Sequence, residues 1–168
     1  QEKAKVMDRA SRGKMNMHFG SLMELCHIKH SELPKEFQQY KGRIVFRGDI
    51  VKDETGVYAV FSEQSSSASW LSAAKFMDAI ARMPGNDGDE ADATGAYTQA
   101  FLDGPETWIE LPRHRWPKSW HNKYERPVVR LVKALYGHPL AGLYWERHCR
   151  KHILRCGFVP VPSWECMF

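Results

Sequence analysis

The chain has 168 residues, of which 43% are hydrophobic and 26% are charged, the usual mixture for a globular domain with one core. It has no apolar run of about 18 residues, and its charged N-terminal stretch lacks the apolar segment of a signal peptide, so nothing here points to a membrane or to secretion. Four cysteines without a CxxC pair favour a reducing compartment. The net charge of +4 is compatible with a polyanionic partner without demonstrating one.

In the first third of the chain, a short helix and two strands are predicted. The helix covers Gly20 to His30, whose apolar residues have roughly helical spacing, and Pro34 ends it, so residues 1–40 form a helical lead-in. The β-branched and aromatic stretches Gly42 to Arg47 and Val57 to Phe61 are predicted strands. These two strands could form an antiparallel pair.

The middle of the chain contains the clearest helix pattern. An apolar stripe runs from Trp70 to Met83, preceded by three possible N-cap hydroxyls and followed by Pro84 and Gly85. The N-cap candidates are Ser65, Ser66 and Ser67. An acidic segment, NDGDEAD, comes next. If it contains a strand, that strand is very short or lies at an exposed edge.

The last third combines strands, a loop and a helix, which together favour an α+β fold over a doubly wound sheet. A long surface loop is predicted from Pro112 to Pro127, and the helix LAGLYWERHCRKHILRCG is expected to end near Gly157. The predicted strands are Thr107 to Leu111, Val128 to Leu135, Phe158 to Val161 and Trp164 to Phe168.

Several of these segments match one family in the same order. The blocks are KGRIVFRG, VYAVFSE, SWLSAAKFMDAIARM, DATGAYTQAFLDGPETWIELP, VVRLVKALYGHPLAGLYWERH and GFVPVPSWECMF. This ordered set resembles the reverse transcriptase of copia-type retrotransposons over most of residues 41–168. The resemblance implies an α+β fold, the fingers and first part of the palm of a right-hand polymerase, and RNA-directed DNA polymerase activity. It also implies a place in a Pol polyprotein, in an intracellular particle or the nucleus, with RNA or DNA template-primer and dNTP as partners.

Asp92 opens the block that matches the family pattern D-x-x-x-A-[FY], which Ala96 and Tyr97 close. The resemblance implies that Asp92 is a catalytic carboxylate at the end of a strand and binds two Mg²⁺ ions together with the backbone carbonyl of Ala93. Carboxylate oxygens suit this hard cation, and nucleotidyl transfer uses two ions about 4 Å apart. The alternative is that Asp92 is one of several solvated acids, or caps the following helix.

Further roles follow from the resemblance. Tyr97 would stand against the sugar of the incoming nucleotide and exclude a 2′-hydroxyl, although an aromatic side chain in a core is the alternative. Gly137 and the adjacent Tyr136 occupy the family's template and primer position, where a backbone without Cβ permits close approach. The side chains expected to hold the triphosphate are Lys41, Arg43 and Arg47, and an ordinary polar strand face is the alternative for each.

The chain departs from the family pattern in two places that affect function. The usual L-K-Q-[AS]-P-R-x-W after Gly137 is replaced by HPLAGLYW, so contacts made by Lys and Gln do not carry over. The family's second metal-binding block, with two adjacent aspartates, lies downstream of the closing C-[LM]-[FY]. We therefore expect a truncated polymerase that is inactive alone. The alternative is a non-catalytic relic or a nucleic-acid-binding module that keeps the fold.

Two other sites have weaker support. Cys149, His152 and Cys156 could share one helix face near His148 and bind zinc, but a zinc site on a single helix is unusual and a packed or exposed face is favoured. Trp116 and Trp120 lie among cationic residues and could stack on a nucleic acid strand. An irregular loop with packed tryptophans is the favoured interpretation there.

Overall fold

A computed structural model describes residues 1–62 and 69–168, which combine helices with a four-stranded sheet. The strands are β1 (Met17–Lys29), β2 (Gln39–Phe46), β3 (Glu106–Glu110) and β4 (Val128–Arg130). The helices are α1 (Lys3–Gly13), α2 (Leu71–Ala81), α3 (Ala96–Gln99) and α4 (Ala141–Arg155). The cap residues predicted ahead of α2, Ser65, Ser66 and Ser67, lie outside the described residues.

The sheet has the order β2-β1-β3-β4. The first part of β1, Met17 to Ser21, pairs in parallel with β3, and β3 pairs antiparallel with β4. From Leu22 onward, β1 pairs antiparallel with β2 instead. Away from the core, the two strands of this β1–β2 hairpin are exposed, over residues 23–29 of β1 and 39–44 of β2. Because β1 pairs with β2, residues 1–40 contribute to the same sheet as residues that follow them in the chain.

Each face of the sheet has its own apolar cluster because side chains alternate along a strand. On one face, α1 packs against Phe19 and Trp108, which are paired across β1 and β3. On the other face, Phe46 and Ile109 are buried together with Val51. A third cluster, described below, lies where α3 meets α4.

The predicted helix over Gly20 to His30 is wrong, because residues 20–29 belong to β1. The residues 1–40 are α-helical only over Lys3–Gly13. In the strand, Leu22 and Ile28 lie on one face of the hairpin and Leu25 lies on the other. The helical spacing of apolar residues therefore does not mark a buried face. Backbone pairing with β2 in the hairpin determines the conformation instead.

Four other predicted strands differ from the structure. Val57 to Phe61 has only an isolated bridge at Tyr58, and Asp53 holds the preceding turn by accepting hydrogen bonds from the backbone N–H groups of Thr55 and Val57. The expected pairing with β2 is not observed, since this segment instead contacts the chain just before it, where Ala59 N donates to Val51 O. The predicted strand from Val128 is a strand only as far as Arg130. The two C-terminal segments are irregular, with a turn at residues 165–166, and a hydrogen bond from Val161 N to Met167 O joins them.

The other predicted elements are confirmed. The helix α2 lies within the predicted stretch from Trp70 to Met83, and β2 and β3 overlap their predicted ranges. The helix α4 ends at Arg155, and Gly157 follows it with a φ of 93°, a left-handed conformation that favours glycine. The loop from 112 to 127 contains two short 3₁₀ turns.

Candidate nucleotide and nucleic-acid site

The segment after Asp92 packs against the L-Y-G block, although about 35 residues separate them in the sequence. Ala134 N donates to Ala100 O at 2.9 Å, and Leu102 N donates to Val132 O at 2.9 Å. Below this short pairing, Ala100 and Ala134 are buried against Ala141 and Tyr144 of α4. These contacts fix α3 relative to α4 and so determine the position of Tyr97.

Tyr97 and Tyr136 are in direct contact, with ring centroids 4.6 Å apart. The side chain of Tyr97 is half-buried, whereas Tyr136 is 42% exposed. The backbone carbonyl of Tyr136 accepts a hydrogen bond from Phe46 N at 2.7 Å, which ties this pair to the end of β2. Three sequence blocks, those of β2, Asp92 and Gly137, therefore meet at one place.

Gly137 is closely surrounded by backbone at this meeting point. Its φ is 87°, and a Cβ placed on it would lie 2.1 Å from the carbonyl oxygen of Phe46. Gly48 is also close, since a Cβ there would lie 2.3 Å from the Gly137 carbonyl oxygen. The lack of a side chain at Gly137 thus permits the close approach of β2. The fold itself requires glycine at this position, whether or not a template binds there.

The three cationic candidates on β2 have different surroundings. Arg47 pairs with Asp49 at 2.7 Å, and this contact raises the pKa of Arg47 and lowers the pKa of Asp49. Arg43 and Lys41 are exposed on one face of the hairpin, across from Leu25 and His27 of β1. At about 3.4 Å per residue, Lys41 lies roughly 17 Å along the strand from Phe46. The structure therefore places Arg47 near the tyrosine pair and Lys41 far from it.

The loop after β3 is held against the hairpin by Glu24. This carboxylate accepts hydrogen bonds from Arg115 at 2.6 Å and contacts His114 at 3.1 Å, and the hydrogen bond from Arg115 lowers the pKa of Glu24 to about 2. In the same loop, Trp116 Nε1 donates to Leu111 O at 2.9 Å. Trp116 and Trp120 are both partly buried, in agreement with packed tryptophans.

Asp92 lies in an exposed irregular segment, and no strand occurs between Met83 and Ala96, all of which the structure describes. The expected position at a strand end is therefore wrong. Capping of α3 by Asp92 is also not observed, because Gly95 is the N-cap residue. The backbone of Ala93 is in the same exposed segment. The acidic residues before Asp92 explain the difference, since their charges favour solvent over a central strand.

The fit of a magnesium ion to this site can be judged from its ligands. Asp92 is accessible and has the oxygen donors that Mg²⁺ prefers. Across residues 1–62 and 69–168, however, no group of three or more His, Cys, Asp or Glu side chains is placed to hold a metal ion. The described residues thus supply one carboxylate of a suitable type but do not complete a magnesium site around it.

Comparisons with models of protein families, with curated proteins and with solved structures gave no match. The likeness to copia-type reverse transcriptases stays a prediction that depends on the ordered motifs. Among the helices in the described part of the chain, none has the length and apolar character needed to cross a membrane.

His138 is a buried residue whose role the sequence did not reveal. It is 5% exposed, its ring lies 5.0 Å from that of Phe46, and its Nδ1 accepts a hydrogen bond from Leu140 N. Its Nε2 finds no hydrogen-bond partner among the described residues. Burial, with a smaller contribution from His18, lowers the pKa of His138 to about 4. The feature of the sequence that could have singled out His138 is the departure from the family pattern at this position.

The buried imidazole predicts acid sensitivity of the fold. A histidine with an ordinary pKa near 6.5 when unfolded and about 4 when folded takes up its proton preferentially in the unfolded chain. Its contribution to stability is complete above about pH 6.5 and is lost as the pH falls towards about 4, by at most about 3 kcal/mol. Urea denaturation at several pH values would measure this change in the free energy of unfolding.

The variant His138→Phe should have a flatter pH dependence in this range, because the titrating group is gone. The pKa of His18 is also lowered by burial, so part of the slope remains. His27→Gln, a change at an exposed histidine of the hairpin, is the control and should keep the original slope. An unchanged slope in His138→Phe would contradict the prediction.

Proposed function

We propose that this chain is a fragment of an RNA-directed DNA polymerase, the reverse transcriptase of a copia-type retrotransposon. It would comprise the fingers and the first part of the palm of a right-hand polymerase. Its partners would be the remainder of the Pol polyprotein, a template-primer of RNA or DNA, and dNTP. Its location would be intracellular, in a cytoplasmic particle or the nucleus.

One observation carries the proposal. Residues chosen from separate motif blocks, Tyr97, Tyr136 and Gly137, come together at the end of β2, which belongs to a third block. Chance likeness between short motifs and a family provides no reason for those motifs to be neighbours in space. A family that builds one site from all of these blocks does provide such a reason.

In this proposal, each residue has a distinct task. Tyr97 would exclude a 2′-hydroxyl from the sugar site by its volume. Arg47 and Arg43 would stabilise the triphosphate, with Lys41 further out on the hairpin, and cationic side chains bind phosphate through charge-assisted hydrogen bonds. Asp92, with the carbonyl of Ala93, would be one part of a two-ion Mg²⁺ site. The resemblance assigns the remaining ligands to a downstream aspartate pair.

The alternative is a non-catalytic relic or nucleic-acid-binding module. Two observations favour it, namely the replaced segment after Gly137 and the irregular, exposed position of Asp92. The flanking sequence distinguishes the two functions. An aspartate pair within a few tens of residues after Phe168 would support the polymerase, and its absence would support the relic.

The hairpin cations give a test of nucleic-acid binding. We expect the chain to bind an RNA–DNA primer-template, and the double variant Lys41→Glu with Arg43→Glu to bind roughly tenfold more weakly, because phosphate contacts dominate such affinities. Fluorescence anisotropy at several salt concentrations would measure both affinity and salt dependence. The salt dependence should be less steep in the variant.

The matched control changes the same total charge elsewhere. Lys5 and Lys14 are exposed at α1, away from the hairpin, and Lys5→Glu with Lys14→Glu should weaken binding far less. Equal losses in the two double variants would mean that only net charge matters. That result would remove the assignment of Lys41 and Arg43.

A further inference from the structure

We propose that His148 and His152 on α4 form a chelating site for a late first-row transition-metal ion of the Zn²⁺ and Cu²⁺ class. The two residues are four positions apart, so their side chains lie on the same face of the helix. Their ring centroids are 4.6 Å apart. The side chain of His148 is partly exposed and that of His152 is exposed, so an ion can reach both.

The separation of the rings suits a shared ion. An ion about 2 Å from one nitrogen of each imidazole lies about 3 Å from each ring centre. Two such rings have centres roughly 4.5 Å apart at the right angle of square-planar Cu²⁺, and roughly 5 Å apart at the tetrahedral angle of Zn²⁺. The observed 4.6 Å is close to these separations, so a shared ion requires little movement of the helix.

The surroundings position one ligand and moderate the affinity. Trp145 stacks on His148, with centroids 5.8 Å apart and an angle of 29° between the rings, which restricts the imidazole. The start of α4 is anchored in the core by Ala141 and Tyr144. Lys133 and Lys151 act electrostatically on His148 and oppose a second cation. Water would complete the coordination, since two protein ligands leave positions open.

The chemistry of the pair separates this site from the proposed polymerase site. Imidazole suits Zn²⁺, Ni²⁺ and Cu²⁺, and affinity is expected to be higher for Cu²⁺ than for Zn²⁺, whereas Mg²⁺ prefers oxygen donors. The site also differs from the combination of Cys149, His152 and Cys156 considered from the sequence. Within the described residues no three such side chains converge. The inference does not depend on the proposed function.

Calorimetric titration of the full 168-residue chain with ZnCl₂, and separately with CuSO₄, would test the site in the presence of excess MgCl₂. We expect one ion per chain, tighter binding of Cu²⁺ than of Zn²⁺, and an increased thermal midpoint when Zn²⁺ is added. His148→Gln and His152→Gln should each weaken Zn²⁺ binding roughly tenfold or more. The proposal would be overturned if excess MgCl₂ displaced Zn²⁺, or if Zn²⁺ did not bind at all.

Control variants separate the pair from other ligands. His114→Gln changes an exposed histidine outside α4 and should leave the affinity unchanged. Cys156→Ser should also leave it unchanged, because the thiol of this residue at the C-cap of α4 is not a ligand in this proposal. If Cys156→Ser abolishes binding, or if His152→Gln retains it, the histidine pair is not the site.

Discussion

Asp92→Asn should reduce primer extension by at least about 100-fold in a longer chain that continues from Phe168 into the downstream aspartate pair. The substitution keeps the size of the side chain but removes its negative charge, and a neutral amide is a weak substitute for a carboxylate on Mg²⁺. Template-primer binding should stay nearly unchanged, because Asp92 is an acid and contributes no attraction to phosphate. Primer extension and fluorescence anisotropy on the same preparation would measure both properties.

The loop before Asp92 provides matched controls for this experiment. Asp89→Asn and Glu90→Gln remove the same charge from neighbouring exposed positions, and we expect less than about a twofold effect from either. The 168-residue chain should extend no primer, since one carboxylate does not hold two ions. Equal activity in Asp92→Asn and Asp89→Asn would make Asp92 one solvated acid among several. Extension by the 168-residue chain would contradict the expected inactivity.

Gly137→Ala should destabilise the fold by roughly 3 kcal/mol or more. The new methyl group would lie 2.1 Å from the carbonyl oxygen of Phe46, and backbone at the end of β2 cannot rotate away as a side chain can. The left-handed conformation, with a φ of 87°, adds strain of about 1 kcal/mol for any residue with a Cβ. Urea denaturation followed by circular dichroism would measure the loss in the free energy of unfolding.

Gly56→Ala is a closely matched control, because Gly56 also has a φ of 87° but nothing lies within 4 Å of a Cβ placed there. It therefore has the conformational cost without the steric one, and a loss of about 1 kcal/mol is expected. The difference between the two variants isolates the contact between Gly137 and β2. Similar losses in both would show that this contact is relaxed at little cost.

The sequence by itself determined the helices and strands that form from local patterns of residues. The stripe from Trp70 to Met83, ended by Pro84, predicted α2, and the helix before Gly157 predicted α4. The β-branched residues before Gly48 predicted β2. The ordered motifs also selected Tyr97, Tyr136 and Gly137, which are neighbours in the structure. Their functional roles stay predictions.

Only the tertiary structure decided which segments pair and what surrounds the candidate residues. The segment from Gly20 to His30 has apolar spacing that suits a helix, yet all but its last residue belong to β1, because β3 pairs with its first two residues and β2 pairs with the others. Asp92 looks like a strand-end residue from its motif, but the neighbouring acids are stabilised by solvent and the segment is irregular. The burial of His138 depends on Phe46, which is distant in sequence, and so no local pattern reports it.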